Sequence, residues 1–167
     1  MVFPAGLRGG VDSSYTVRIM KQEPSTRTHT DSVAEDALFS GEVSAIALTL
    51  YENERPPRGL AGILDWYCFG KISDSIRSGT LTGKLGECSY FPFTRKNQTY
   101  HLFFVGVGSP DQSGAPKTVP VKALEHLQKN LVSMKLKKVG ISKSDFGGIS
   151  EDHLTKHLKG VPLWITA

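Results

Sequence analysis

Apolar residues recur along this chain with two periods, and the periods mark its elements. Leu60, Ile63, Leu64, Tyr67, Ile72 and Ile76 fall at spacings near 3.6, with Cys68 and Phe69 widening the stripe. The spacing predicts one helix from Arg58 to Gly79, where glycine tolerates the left-handed turn that ends it. Leu124, Leu127, Leu131 and Met134 predict a second helix, from about Pro120 to Lys135, with Pro120 suited to its first turn. Elsewhere the period is two. Ile46, Leu48 and Leu50 oppose Ala45, Ala47, Thr49 and Tyr51, and His101, Phe103 and Val105 oppose Leu102, Phe104 and Gly106. Strands so apolar on both sides read as central and covered on both faces. The strand that opens at Cys88 contains Pro92, which lacks a ladder donor and assigns it to a sheet edge or an early end. Arg95-Lys-Asn-Gln is the hairpin turn between it and the strand from Tyr100 to Val107.

Weaker patterns complete the order. Residues 1–13 are glycine-rich and read as a loose tail, and residues 14–167 as one domain. Tyr15, Val17 and Ile19 alternate in a half-buried strand, Ser14 to Met20. Asp31 or Ser32 caps a short helix reaching Phe39, with Glu35 placed for a capping box after Ser32. Lys137 to Ser142 is a short strand, Ser150 caps a short helix, and Val161 to Thr166 is a last strand. Strands and helices that alternate in this way, with one hairpin, give an α/β fold with a mixed sheet.

Composition adds limits. The 167 residues suit a single globular domain, with 39% hydrophobic and 22% charged residues. No apolar run reaches the length of about 20 residues that spans a bilayer. No basic-then-apolar leader opens the chain, so a cytoplasmic location is the expectation. Cys68 and Cys88 lack metal-ligand spacing and read as reduced core thiols. The net charge is +4, unevenly placed: four basic residues face eight acidic ones up to Glu54, and the excess is basic beyond it. That asymmetry is compatible with self-complementarity or an anionic partner, although ordinary surface charge explains it as well.

The stretch from Ala45 to Gly108 also carries a resemblance. An apolar strand (Ala45 to Tyr51) precedes a helix ending at Gly79. The phrase Gly79-Thr-Leu-Thr-Gly-Lys-Leu-Gly-Glu87 follows, and Phe103-Phe-Val-Gly-Val-Gly108 closes the series. This ordered set resembles the N-terminal domain of the leucyl aminopeptidase family, over residues 38–145. The resemblance implies a macro-domain-like fold, a three-layer α/β/α sandwich around a mixed sheet. It also implies a non-catalytic domain, because that family's two-metal peptidase chemistry lies in a separate C-terminal half whose phrases do not occur here. Aminopeptidase activity is therefore not expected, nor is a catalytic residue, a metal ligand or a cofactor.

Residues with chemical potential remain. Gly106, Gly108 and Ser109 open a polar loop after a central strand, where backbone donors approach an anionic ligand in open α/β sheets. The dinucleotide fingerprint is incomplete, since Asp111 stands where its third glycine belongs and would repel a highly charged phosphate. His153 and His157, spaced i and i+4, share one side of a helix but lack the glutamate of a zincin motif, so they read as an exposed, non-ligating pair. Trp66 reads as a core anchor, and Asp65 as an ion-pair partner of Arg58 or Lys71.

Three functions fit. One is an interaction or assembly module that binds a protein partner or itself. Another is a macro-type module for a small anionic ligand, nucleotide or ADP-ribose-like. The last is nucleic-acid binding, which the basic residues allow, although they are dispersed apart from Lys135-Leu-Lys-Lys and no basic motif with interleaved aromatics is present. An exposed apolar patch would favour the assembly module, and a ligand at Gly106–Pro110 the small-ligand module. A continuous basic face would favour nucleic-acid binding.

Overall fold

The computed structural model describes residues 30–110 and 117–166, with side chains from Ala34 onward. The expected tail and first strand, and the loop residues Asp111 to Ser113, lie outside the described residues. Ten elements follow in order: α1 (Thr30–Ser40), β1 (Ala45–Leu50), α2 (Gly59–Tyr67), α3 (Lys71–Arg77), β2 (Cys88–Arg95), β3 (Gln98–Gly106), α4 (Val121–Ser133), β4 (Val139–Ser142), α5 (Glu151–His157) and β5 (Leu163–Thr166).

The described strands form one mixed sheet, ordered β2-β3-β1-β4-β5. β1 runs parallel to β3 and β4, β4 parallel to β5, and β2 antiparallel to β3. Pro92 thus lies in an outer strand, where its missing donor costs no ladder bond to a further neighbour. Lys96 and Asn97 both have positive φ and form the two-residue hairpin turn whose twist matches the strands.

The alternation within β1 and β3 sorts two cores. Ile46, Leu48, Leu50, Leu102 and Phe104 pack under α1, α2 and α3 with Leu38, Leu60, Leu64, Ile72 and Ile76. Ala45, Ala47, Phe103 and Val105 pack under α4 and α5 with Leu124, Leu127, Leu131, Leu154 and Leu158. Helices on both faces make the expected α/β/α sandwich. Ser150 caps α5 as expected, its hydroxyl accepting from the His153 amide.

The helix expected from Arg58 to Gly79 departs from that reading. It is two helices, broken at Cys68-Phe69-Gly70. The Phe69 amide donates to the Trp66 carbonyl and the Gly70 amide to that of Asp65, a Schellman closure with Phe69 in the left-handed region at φ 57°. The break redirects the side chains around it. Trp66 is 82% exposed and Phe69 83%, so neither is a core residue. Within α2 the buried positions are Leu60, Ala61 and Leu64, and Trp66 lies two residues, roughly 200° of helix, beyond Leu64. Asp65 also differs: its carboxylate accepts from the Ser73 amide (3.0 Å) and hydroxyl (2.6 Å), tying α2 to α3, while Arg58 meets Glu54 at 3.9 Å.

Cys68 is buried, and that burial pushes its thiol up to about 12, with Asp65 adding to the shift. Cys88 is raised in the same direction, chiefly by burial. Both are free. Among the described residues, no helix is long and apolar enough to cross a membrane.

Candidate functional site

β1 is the switch point of the sheet, since the chain reaches β3 on one side of it and β4 on the other. Ligands of open α/β sheets collect outside the carboxyl ends of the strands at such a point. The relevant space therefore lies beyond Leu50, Gly106 and Ser142.

Main chain fills much of it. The connection from Gly79 to Glu87 folds back across the ends of β1 and β3. The Gly106 amide donates to the Glu87 carbonyl (2.8 Å), the Gly108 amide to that of Gly83 (3.0 Å), and the Val107 amide to that of Leu50 (3.1 Å). Gly86 in turn donates to the Gly106 carbonyl at 3.0 Å. The glycines let these backbones cross. A Cβ on Gly106 would stand 2.0 Å from the Lys84 carbonyl oxygen, and one on Gly83 would stand 2.6 Å from Tyr51 main-chain atoms. Gly106 and Gly108 are buried, and their amides are already engaged. Ser109 is exposed; its hydroxyl lies 3.4 Å from the Glu52 carboxylate, to which it donates, and its carbonyl accepts from the Lys117 ammonium.

Further bonds lock the floor of this edge. The Tyr51 hydroxyl accepts from the Lys117 amide at 3.0 Å, and the Asp145 carboxylate accepts from the Thr49 amide at 2.6 Å.

Beside the crossing, on the side of α4, lies a pocket of about 370 Å³ lined by Thr82, Lys84, Leu85, Gly86, Glu87, Lys122 and His126. Lys84 and Lys122 bring two cations to it, and Lys122 stands in the first turn of α4, where amide donors lack intrahelical partners. The Nδ1 of His126 lies 3.3 Å from the Gly86 carbonyl, an acceptor only, so Nδ1 carries a proton in this contact. The Glu87 carboxylate is engaged by the Thr82 and Ser89 hydroxyls. The pocket thus sets two lysines against one engaged glutamate, and it adjoins Gly106 and Gly108, since Leu85 packs 3.2 Å from the Cβ position of Gly108.

A larger cleft, about 710 Å³, lies on the outer side of α2 and is lined by Pro56, Pro57, Gly62, Asp65, Trp66, Tyr67, Phe69, Gly70 and Arg95. The Arg95 guanidinium sits over the Tyr67 ring (5.1 Å) and the Phe39 ring (5.6 Å). The Tyr67 hydroxyl bonds to Glu35, which raises the tyrosine's pKa.

The sequence places Gly106, Gly108 and Ser109 together at the strand end, and the structure does so too. It does not place them on either cavity wall. Sequence reasoning misses Lys84, Lys122 and His126. The phrase Gly83-Lys-Leu-Gly-Glu87 reads as a turn, in which a lysine carries no signal of its own. Lys122 and His126, at i and i+4 on the polar side of an amphipathic helix, are the available signal. His153 and His157 are half-buried and face each other at 4.5 Å, and no metal-binding group of three or more His, Cys, Asp or Glu residues occurs among the described residues.

Comparison by sequence finds no matching family and no matching curated protein. Comparison of folds does find matches. The macrodomain of Mycobacterium tuberculosis DarG aligns with 77% of this chain and 91% of its own, at 15% identity and a TM-score of 0.55. The chain has a macrodomain-like fold. Thermosipho africanus DarTG in complex with ADP-ribose matches 77% of the chain and 39% of its own length, at 10% identity and a TM-score of 0.51. A mutant tomato leucine aminopeptidase matches 70% of the chain and 25% of its own, at 12% identity and a TM-score of 0.47. At these identities the macrodomain likeness is one of fold.

Proposed function

We propose that this macrodomain-like chain is a small-ligand module that takes a nucleotide- or ADP-ribose-like anion at the carboxyl edge of its sheet. The observation that carries this reading is the basic pocket of Lys84, Lys122 and His126 beside the Gly106–Ser109 strand end. A solved neighbour of the same fold is described in complex with ADP-ribose. In this reading Lys84 and Lys122 hold a phosphate by charge-assisted hydrogen bonds, and the first turn of α4 adds donors. Gly106 and Gly108 keep the pocket's wall in place through the crossed backbones, and Ser109 meets the ligand's far end. In this reading the module binds its ligand, and no peptide hydrolysis is assigned to it. Calorimetric titration with ADP-ribose tests the proposal. Binding is expected, weakening with salt, and Lys84→Gln and Lys122→Gln are each expected to lower affinity about threefold to tenfold. Absence of heat at millimolar ADP-ribose, or affinity untouched by both substitutions, would overturn it.

Another reading, an interaction or assembly module, is favoured by a different observation. Trp66 and Phe69 present two large apolar side chains to solvent beside the 710 Å³ cleft. The leucyl-aminopeptidase-like phrases of the sequence fit this reading, since the domain they resemble is non-catalytic.

A further inference from the structure

We infer that the outer side of α2 is a self-association surface, through which two copies of this chain pair by seating Trp66 and Phe69 of each in the cleft of the other. The inference rests on the interaction reading and names the partner.

Among the described residues, neither of these two rings is packed into a core. Trp66 and Phe69 are 82% and 83% exposed. Phe69 moreover occupies the left-handed position that closes α2, at φ 57°. The same closure recurs at the end of α3, where the Gly79 amide donates to Ile76 and the Thr80 amide to Ser75, and there the left-handed residue is glycine at φ 78°. A bulky residue in that conformation is strained, and glycine serves the turn better. A strained phenylalanine held away from every described core residue costs the fold twice, which points to a contact beyond the described residues.

The cleft fits another copy in size and charge. The two rings help to line its 710 Å³, together with the apolar Pro56 and Pro57 and the cation Arg95. Aromatic side chains bury about 150–250 Å² each. Two from each copy therefore supply about 600–1,000 Å², which approaches the roughly 1,000 Å² of a specific interface before any rim contact. The lining carries one guanidinium, Arg95, and one carboxylate, Asp65, with no excess of either sign. A nucleic acid or polyphosphate would want a basic face. A two-fold pair sets Arg95 of each copy towards Asp65 of the other, the isologous arrangement in which one patch is its own complement.

Sedimentation velocity of the full chain, from micromolar to several hundred micromolar, tests this in a Trp164→Phe background, where Trp66 is the only tryptophan. A concentration-dependent shift from monomer to dimer is expected, with blue-shifted Trp66 emission and loss of acrylamide quenching in step. Trp66→Glu should abolish the shift. Phe69→Gly should weaken association at least tenfold while raising the monomer's melting temperature, because it removes a ring the monomer does not use and relieves its backbone. A chain that stays monomeric throughout, with Trp66 fully quenchable, overturns self-association and leaves the interaction reading standing for another partner. A dimer unaffected by Trp66→Glu and Phe69→Gly overturns both at this surface. Arg95→Glu should weaken pairing as well, and Val132→Glu, at an exposed valine of α4, should not.

Discussion

The carboxyl edge of the sheet and the outer side of α2 are made of opposite materials. At the edge, glycines let three stretches of main chain cross, and their amides bond to one another. On α2, aromatic rings stand in solvent around an open cleft. The edge reads as functional in sequence because it is rich in glycine, yet its glycines serve backbone contact, and its charge comes from Lys84 and Lys122 nearby. The α2 surface reads as structural because it is apolar, yet its apolar atoms are outside. Glycine content reports close approach, and apolar content reports burial only when its phase on the helix is right.

Substitutions sharpen this contrast, and the largest effect falls on the edge. Gly106→Ala forces a methyl group onto the Lys84 carbonyl, where no side chain can move aside, and should cost about 3 kcal/mol or more. Gly148→Ala is the control, since its Cβ meets nothing within 4 Å and only φ 71° opposes it; about 1 kcal/mol is expected. Chemical denaturation of both variants gives the comparison, and equal losses would show that steric crossing at Gly106 is not the constraint.

On α2 the order reverses. Leu64→Ala, under the sheet, should cost about 2–5 kcal/mol, while Trp66→Ala, one half-turn away, should change monomer stability by less than about 0.5 kcal/mol. A midpoint shift at Trp66 as large as that at Leu64 would place the indole in the core.

The smallest effect is chemical. Burial holds the Cys68 thiol neutral, its pKa raised to about 12, and raises that of Cys88, so little reactive thiolate exists at pH 8. Native protein should react with a disulfide reagent far more slowly than unfolded protein. Prompt labelling of Cys68 in the native state would show that α2 opens locally.

Much of the fold is legible in the sequence because its signals are periodic. Ile46, Leu48 and Leu50 against Ala45 and Ala47 name both faces of β1, and the two cores follow that division. Pro92 names an edge, and Ser150 names a cap. The break after Tyr67 is not legible, because Phe69 stands where a glycine would have announced it. That one residue carries the apolar stripe across a turn and draws Trp66 inward with it. The site is legible only in part. Gly106, Gly108 and Ser109 mark the carboxyl end of β3, next to the pocket proposed here. The basic pocket beside them joins residues 82–87 to Lys122 and His126, across a connection no local pattern reports.

The central claim is that ligand recognition belongs to the edge, and not to the aromatic cleft. Amide shifts of isotopically labelled protein during titration with ADP-ribose test it most directly. Saturable shifts are expected at Lys84–Glu87, Ser109 and Lys122–His126, with Trp66–Gly70 and Arg95 unmoved. Shifts confined to Trp66–Gly70 and Arg95, or no shift anywhere at millimolar ligand, would contradict the claim.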